Sequence, residues 1–308
     1  MGAQTNRRSI WFKGQMVPDN EATISVLSPT AQYGLNIFEG IRCYSSIADK
    51  GQLFAFRFSD HIKRLFSSCK LIGLAPPYNA HQIKDFLIET IRANRYHEDT
   101  AVRLTLFVEA EGSWSFEGPV TMFIAPQKTA RRNPEALQGL RACVSSWERI
   151  SDNCLPPRVK TGANYLNARY AHLEAKRHGY DLPLFLGRNG KMSEGGGACL
   201  FMLRNNVLTT PPLTSSVLES ITRATVLQLA TDLDIRVSER DIDRTELYLA
   251  DEIFLCGSAA ELSPITSLDG LPIGSAQPGE VTLSLLRRYL DVASNGVAAY
   301  SDWLLPIY

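Results

Sequence analysis

Residues 158–181 read RVKTGANYLNARYAHLEAKRHGYD, and residues 182–210 continue as LPLFLGRNGKMSEGGGACLFMLRNNVLTT. The first stretch predicts a helix over Asn164–His178, with Gly179 as the residue that ends it. The second predicts two β-hairpins, because Asn189-Gly190 and Asn205-Asn206 are turn dipeptides between apolar runs. A helix followed by hairpins, without strict β-α-β alternation, favours an α+β fold over a doubly wound sheet.

The rest of the chain mixes strands and helices in the same way. Apolar spacing predicts helices over Ser59–Leu74, with Ser59 or Asp60 as the N-cap, and over Ala80–Asn94. Alternation predicts a strand over Ala101–Glu109 in which Arg103 faces away from the apolar side. The polar segment QKTARRNPEALQG at 127–139 predicts a linker. We therefore divide the chain into a smaller N-terminal α/β domain (1–125), an interdomain loop (126–138) and a larger C-terminal domain (139–308).

Composition excludes several classes of protein. The 308 residues carry 32 Lys+Arg and 32 Asp+Glu, so the formal net charge is zero and a nucleic-acid partner is not expected. The six cysteines are scattered without a C-x-x-C pair, which argues against a disulfide framework and for a reducing, cytoplasmic compartment. No run of apolar residues is long enough for a membrane helix, and the first 15 residues have no apolar run typical of a secretion signal.

Sequence motifs exclude some chemistry and leave one lysine of interest. The run Glu194–Gly197 precedes a predicted strand, whereas a dinucleotide fingerprint precedes a helix. The chain has no H-E-x-x-H and no G-x-S-x-G, so neither a metal site nor a serine hydrolase is expected. A lone lysine is usually a solvated charge. Lys160, however, lies between a Pro-rich loop and a helix that begins near Tyr165, and a lysine shielded from water can act as a nucleophile.

Several motifs in one order, from Ile10 to about Gly270, resemble the branched-chain amino-acid aminotransferases, which are class IV, fold-type IV enzymes that use pyridoxal phosphate. The segments are YGLNIFEGIRCY (33–44), HIKRLF (61–66), VRLTLFVE (102–109), VSSWERI (144–150), VKTGANYLNARYAHLEAKRHGYD (159–181), KMSEGGG (191–197), TPPLTSSVLESITR (210–223) and LADEIFLCGSAAELSPI (249–265). The resemblance implies two domains, a mixed, barrel-like sheet in the C-terminal domain, and at least a homodimer.

The resemblance also assigns roles around the cofactor ring. Lys160 would bind the cofactor covalently and then move the α-proton of the substrate. Glu194 would face the pyridine nitrogen, where a carboxylate keeps the ring protonated and electron-withdrawing. Tyr165 would donate to the phenolic oxygen, although a core tyrosine is the competing interpretation. Arg149 matches a position close to the cofactor.

The cofactor phosphate and the substrate would be held by further residues. For the phosphate, the resemblance points to the guanidinium of Arg64, the N-terminal residues Ile221 and Thr222 of a helix, and Ser258, which replaces the usual threonine. Arg103 would bind the distal carboxylate of glutamate, and the backbone at Ser258, Ala259 and Ala260 would bind the α-carboxylate. The residues that match the side-chain pocket are Tyr33, Phe38 and Gly40.

The sequence differs from the family pattern at several positions, and these differences bear on the expected substrate pocket. Ala101 stands where a tyrosine is common, Gln127 and Ala130 where the interdomain loop usually supplies aromatic residues, and Cys199 where an Asn is usual. A roomier or more polar pocket is expected. The predicted reaction is ping-pong transamination between an L-amino acid, branched-chain or related, and 2-oxoglutarate. The alternatives are a D-amino-acid or amine transaminase, an aminodeoxychorismate-type lyase of the same fold, and a catalytically silent module.

Overall fold

A computed structural model of the chain describes residues 8–308. The chain forms two compact units. The first comprises the residues up to Arg131 together with Val159–Ala163 and Asp291–Tyr308, and the second comprises Arg132–Arg158 and Asn164–Leu290. Residues 159–163 and 291–308 thus belong to the first unit although they follow the predicted interdomain loop in the sequence.

The first unit is built on one seven-stranded sheet. Its strands are β1 (Ser9–Phe12), β2 (Gln15–Pro18), β3 (Asn36–Ser45), β4 (Leu53–Phe56), β5 (Thr100–Val108), β6 (Val120–Lys128) and β16 (Leu304–Pro306), in the order β16-β4-β3-β5-β6-β1-β2. Its helices are α1 (Pro29–Tyr33), α2 (Phe58–Leu71) and α3 (Ala80–Ala93). Every pairing in this sheet is antiparallel.

One face of this sheet is covered by α2 and α3. Alternate residues of the central strands supply that face, as the period of two requires. The packed residues include Ile37, Ile41, Val102, Leu104 and Leu106 from the sheet with Leu65, Ile83, Leu87 and Ile91 from the helices. The opposite face carries Phe38, Gly40 and Arg103, because these residues alternate with the packed ones.

The second unit contains the remaining elements. Its strands are β7 (Leu140–Glu148), β8 (Leu182–Leu186), β9 (Met192–Gly195), β10 (Cys199–Arg204), β11 (Val207–Thr210), β12 (Arg236–Glu239), β13 (Glu252–Gly257), β14 (Glu261–Leu268) and β15 (Leu271–Pro272). Its helices are α4 (Tyr165–Arg177), α5 (Ile221–Asp232), α6 (Arg244–Leu247) and α7 (Glu280–Ala293), the last three residues of α7 being counted with the first unit.

Six of these strands close into a barrel. The order is β10-β13-β14-β7-β8-β9, and β9 pairs back to β10 through Glu194 and Cys199. The β14–β7 and β7–β8 pairs are parallel, and the other pairs around the ring are antiparallel. The interior is apolar, with Leu184, Leu200 and Met202 fully buried. The prediction of an α+β chain with a mixed, barrel-like sheet is confirmed.

Local predictions mostly hold, with two differences. The hairpin turn at Asn205-Asn206 has both residues at positive φ, 52° and 58°, and Gly179 follows α4 at φ 80°. Helix α2 begins earlier than predicted, with Arg57 as its N-cap at φ 55°, so the prediction of Ser59 or Asp60 as N-cap is wrong. Strand β6 runs on to Lys128, because Gln127 and Lys128 pair with Ala101 and Thr100 despite their polar character.

Candidate active site

The segment that carries Lys160 is fixed against β3. Strand β4 pairs with β3 only from Cys43 to Ser45, so the edge of β3 is open near its start. The backbone N–H of Phe38 donates to the carbonyl of Lys160 over 3.0 Å. The backbone N–H of Lys160 donates in turn to the Ser68 hydroxyl of α2 over 3.1 Å. Both the carbonyl and the N–H of Lys160 are therefore held in hydrogen bonds within the first unit.

Phe38 links Lys160 with the predicted substrate arginine. The Nζ of Lys160 lies 4.9 Å from the centre of the Phe38 ring, and the Cζ of Arg103 lies 4.1 Å from the same centre. Arg103 is paired across the strands with Gly40. A Cβ added to Gly40 would meet nothing within 4 Å. Lys160, Phe38, Gly40 and Arg103 therefore form one cluster on the face of the sheet that the helices leave uncovered.

Arg64 is oriented by a buried carboxylate that the sequence analysis did not identify. Its Nε and Nη2 donate to the two oxygens of Glu39, each over 2.7 Å. Glu39 is fully buried on the helix-covered face of β3 and also accepts from Nδ1 of His61 over 2.7 Å. Burial alone raises the pKa of Glu39, but the charge of Arg64 and these hydrogen bonds outweigh it and lower the pKa to about 2. Burial lowers the pKa of His61, so the neutral ring donates to Glu39.

In the second unit, Glu194 is held by an arginine. Glu194 stands near the end of β9 and is 2% exposed. The Nε and Nη2 of Arg149 lie 3.0 and 2.7 Å from its Oε1. The Nη1 of Arg149 donates to the amide oxygen of Asn167 on α4 over 3.2 Å. A buried charge needs such a partner, and Arg149 also fixes the direction in which the carboxylate points.

The other oxygen of Glu194 meets two weaker donors. The thiol of Cys199 lies 3.6 Å from Oε2, and the backbone N–H of Leu218 donates to Oε2 over 3.3 Å. Burial raises the pKa of the Cys199 thiol well above its ordinary value, so this sulfur stays protonated and can donate. Cys199, which departs from the family pattern, therefore lies directly against Glu194, the carboxylate predicted to face the pyridine nitrogen of the cofactor.

The glycine run next to Glu194 allows close packing. A Cβ on Gly195 would lie 2.8 Å from a methyl carbon of Leu255, and one on Gly196 would contact Ala168 of α4. A Cβ on Gly197 would meet the ring of Tyr165 at 3.7 Å. Tyr165 is the first residue of α4 and is 38% exposed. The run thus brings Tyr165 and Glu194 to the same end of the barrel.

The residues predicted to bind the cofactor phosphate lie at the start of a helix, and those predicted to bind the substrate α-carboxylate lie in a turn. Ile221 and Thr222 open α5 and are buried, and the side chain of the N-cap Ser220 accepts from the N–H of Arg223. The first N–H groups of a helix have no acceptor within the helix. Ser258–Ala260 form the turn between β13 and β14, directly after Gly257, whose added Cβ would lie 3.4 Å from the carbonyl oxygen of Gly197.

Two of the departures lie side by side. Ala101 and Gln127 are direct cross-strand partners on β5 and β6, one pair along from Arg103. Ala130 is exposed in the segment that follows β6. Tyr33 ends α1 and is 48% exposed, so its side chain is not enclosed within its own unit.

The structure thus groups the predicted residues within each unit. The first unit holds Lys160, Arg64, Arg103, Phe38, Gly40 and Tyr33, and the second holds Tyr165, Glu194, Ile221, Thr222, Ser258, Ala259 and Ala260. Sequence reasoning missed Glu39, His61 and Asn167. One available signal was the acid at position 39, between Ile37 and Ile41 on the apolar side of a strand, because a buried acid implies a cationic partner.

In residues 8–308, no helix is long and apolar enough to cross a membrane. In that same part of the chain, no group of three or more His, Cys, Asp or Glu side chains is arranged to hold a metal ion.

Comparison with known proteins gives consistent matches along the chain. The profile of the family "Amino-transferase class IV" matches residues 36–268. The branched-chain-amino-acid aminotransferase of Salmonella typhimurium is 37% identical over 303 residues, which cover 97% of each chain.

Solved structures match equally well. The branched-chain amino acid aminotransferase from Thermobaculum terrenum in its PLP-form superimposes with a TM-score of 0.93 at 39% identity, covering 99% of this chain and 100% of the other. The T.th. branched-chain amino acid aminotransferase complexed with N-(5'-phosphopyridoxyl)-L-glutamate gives a TM-score of 0.91 at 33% identity, covering 98% and 99%.

Proposed function

Because the chain belongs to the class IV aminotransferases, we propose that it moves an amino group between a branched-chain or related L-amino acid and 2-oxoglutarate in two successive half-reactions. The similarity to branched-chain aminotransferases extends over nearly the whole of both chains. Pyridoxal phosphate is the cofactor on this proposal. One matching structure is in its PLP-form and another carries a phosphopyridoxyl-glutamate conjugate.

The residues present fit this cofactor chemically. It has an aldehyde, a pyridine nitrogen, a phenolic oxygen and a phosphate, and each needs a different partner. Lys160 offers an amine, the buried Glu194 offers a carboxylate, and Tyr165 offers a hydroxyl. The phosphate would be held by Arg64 and by the N–H groups at the start of α5, Ile221 and Thr222, with the hydroxyl of Ser258.

Each group has a distinct task in the reaction. When bound, the cofactor supplies an electron-withdrawing ring that stabilises the negative charge left after the α-proton is removed. Glu194 favours a proton on the pyridine nitrogen, and Arg149 keeps its carboxylate in place. Lys160 takes the α-proton at Nζ and releases it again as the amino group moves. Phe38, 8% exposed, excludes water beside that nitrogen.

The substrate would be held at both ends. The backbone N–H groups of the turn Ser258–Ala260 would bind the α-carboxylate. Arg103 would bind the second carboxylate of glutamate or 2-oxoglutarate, because a guanidinium matches a carboxylate in shape and charge. A leucine side chain would instead contact Phe38 and the wall that contains Ala101 and Gln127.

The observation that carries the proposal is the fixed backbone of Lys160, whose amine lies beside Phe38. Replacing Lys160 by alanine is expected to lower the turnover rate by a factor of at least about 1000, since general-base catalysis alone contributes roughly 10²–10⁴-fold. The absorbance band of the bound cofactor should change as well. A Lys176→Ala variant is a matched control, because Lys176 is an exposed lysine in the last turn of α4. Normal turnover by K160A would refute the assignment.

The amino donor is tested by single half-reactions on purified holoenzyme. L-Leucine, L-glutamate, a basic L-amino acid and D-alanine are added one at a time, and bleaching of the cofactor band is followed. Fast bleaching by L-leucine supports the branched-chain assignment. Reaction with L-glutamate or the basic amino acid alone would mean that the altered wall selects another side chain. Preference for D-alanine would reverse the proposed stereochemistry.

We also propose that the active form is a homodimer or a larger homo-oligomer. Leu166, Tyr170 and Leu173 recur along α4 at helical spacing, and each is more than a third exposed. Trp147 stacks on Tyr170, with ring centres 4.8 Å apart, and extends the apolar surface. A Leu166→Glu variant should lower the mass measured by light scattering from that of a dimer. A wild-type monomer at micromolar concentration would contradict the proposal.

We also propose that the protein is located in the cytoplasm. This location is supported by the six cysteines, all of which are free thiols. Free thiols persist in a reducing compartment.

A further inference from the structure

The turn proposed to bind the α-carboxylate has only short side chains. Ser258, Ala259 and Ala260 offer little surface for packing, and Ala259 is exposed. The ends of the turn are closed by the pairing of Gly257 with Glu261. A carboxylate site made of backbone N–H groups nevertheless requires those groups to point in fixed directions. The required rigidity has to come from neighbouring residues.

Arg132 makes two contacts at this turn. Its Nε donates to the carbonyl oxygen of Ala260 over 2.6 Å. Its backbone N–H donates to Oε2 of Glu261 over 2.7 Å. Glu261 follows the turn directly, is 1% exposed and has a φ of 49°, a left-handed conformation that is unusual for glutamate. Arg132 thus holds both the last carbonyl of the turn and the side chain of the strained residue after it.

Arg131 does not share this role, and Ser263 shares it through a neutral hydroxyl. Arg131 contacts Asp99 through Nε and Nη2 over 2.5 and 2.6 Å and Ser294 through Nη1 over 2.5 Å, all within the first unit. Ser263 does donate to the carbonyl of Ala260, over 3.0 Å, but its hydroxyl is neutral. A hydrogen bond from a charged donor is roughly twice as strong as one from a neutral donor.

We propose that Arg132 is a positioning residue that holds the turn Ser258–Ala260 in the shape that binds the substrate α-carboxylate. Its donation to Ala260 fixes the last peptide of the turn and so limits the rotation of the N–H groups before it. Arg132 acts through the backbone of the turn and does not itself contact the substrate. This inference rests on the proposed function, because it takes the turn to be the carboxylate site.

The test measures binding of a carboxylate without an amino group. 4-Methylpentanoate, the leucine skeleton without its amino group, is titrated by calorimetry into holoenzyme of wild type, Arg132→Met and Arg132→Lys. The Kd is expected to rise about tenfold in R132M, which corresponds to about 1.4 kcal/mol. R132K, which keeps the charge but has no donor at the Nε position, should show a smaller rise. The cofactor content should stay unchanged in both, and the KM for leucine should rise more than kcat falls.

A control variant and the opposite outcomes make the test decisive. Arg188→Met removes an exposed arginine from a turn of the same unit and should leave the Kd unchanged. A wild-type Kd in both Arg132 variants would overturn the inference while transamination continued to support the proposed function. If R132M does not fold, a wild-type Kd in R132K alone overturns it. A wild-type holoenzyme that neither binds 4-methylpentanoate nor turns over leucine would overturn the function and this inference together.

Discussion

Replacing Glu39 by glutamine is expected to destabilise the first unit strongly. Glu39 is fully buried and its carboxylate receives two bonds from Arg64 and one from His61. A glutamine can still accept from His61, but it cannot neutralise Arg64, whose side chain is 11% exposed. Breaking a buried ion pair by removing one of its members costs roughly 3–5 kcal/mol.

The pKa of Glu39 supports a similar magnitude. Its pKa falls from 4.5 to about 2 despite burial, because Arg64 and His61 stabilise the charged form. At about 1.4 kcal/mol per pKa unit, the shift corresponds to about 3 kcal/mol of stabilisation at neutral pH. Because the folded-state pKa is depressed, this stabilisation is fully present above pH 4.5 and is lost as the pH falls toward 2.

The assay is urea unfolding at fixed protein and cofactor concentration, at pH 7 and at several lower values. At pH 7 the Glu39→Gln variant should lose about 3 kcal/mol of unfolding free energy relative to wild type. The difference should shrink as the pH is lowered below 4.5. Glu109→Gln is the control, since Glu109 pairs with Lys13 at a partly exposed site and should cost less than about 1 kcal/mol. Equal losses in the two variants, or a difference that does not change with pH, would refute the reasoning.

Three further variants test the proposed site. Arg103→Ala should lower kcat/KM for glutamate by about 10–100-fold through loss of a charge-assisted pair while leucine changes less than about threefold; equal losses in steady-state assays would contradict the distal-carboxylate role. Arg149→Met leaves Glu194 buried without its cation and should lower both the urea midpoint and the cofactor affinity, the latter by roughly tenfold or more in equilibrium dialysis. Tyr165→Phe should retain the fold, because Tyr165 is 38% exposed, but should shift the cofactor absorbance band; an unchanged spectrum would exclude contact with the phenolic oxygen.

The sequence predicted the periodic elements well, because their signals are local. The alternation of Val102, Leu104 and Leu106 gave the buried face of β5, and the fold-type IV prediction is confirmed by the solved structures that match. The start of α2 was mispredicted for a physical reason. Its N-cap is Arg57, a residue with no side-chain cap and a left-handed backbone, so none of the usual capping residues marks the position.

The candidate site was predictable only where a family motif names the residue. The motifs name Lys160, Glu194, Arg64 and Arg149, but they do not say which residues pair with one another in the fold. Glu39 is 25 residues from Arg64, and Arg149 is 45 residues from Glu194. Such pairs depend on strand register and helix placement, which one sequence does not encode as a local pattern.

Two of the departures from the family pattern, Ala101 and Gln127, lie together in the first unit, and this bears on the expected character of the proposed pocket. Ala101 and Gln127 are direct cross-strand partners. A small side chain on β5 therefore stands opposite a flexible amide on β6, where the family pattern has aromatic residues. Arg131, next to Ala130 in the sequence, adds little charge to this wall, because its guanidinium binds the carboxylate of Asp99. Compared with the family pattern, the proposed wall next to Arg103 is therefore expected to leave more space without adding much charge. Since burial of apolar surface contributes roughly 25 cal/mol per Å², a side chain larger than leucine gains most from this space. The half-reaction series should accordingly include a bulky apolar donor alongside leucine.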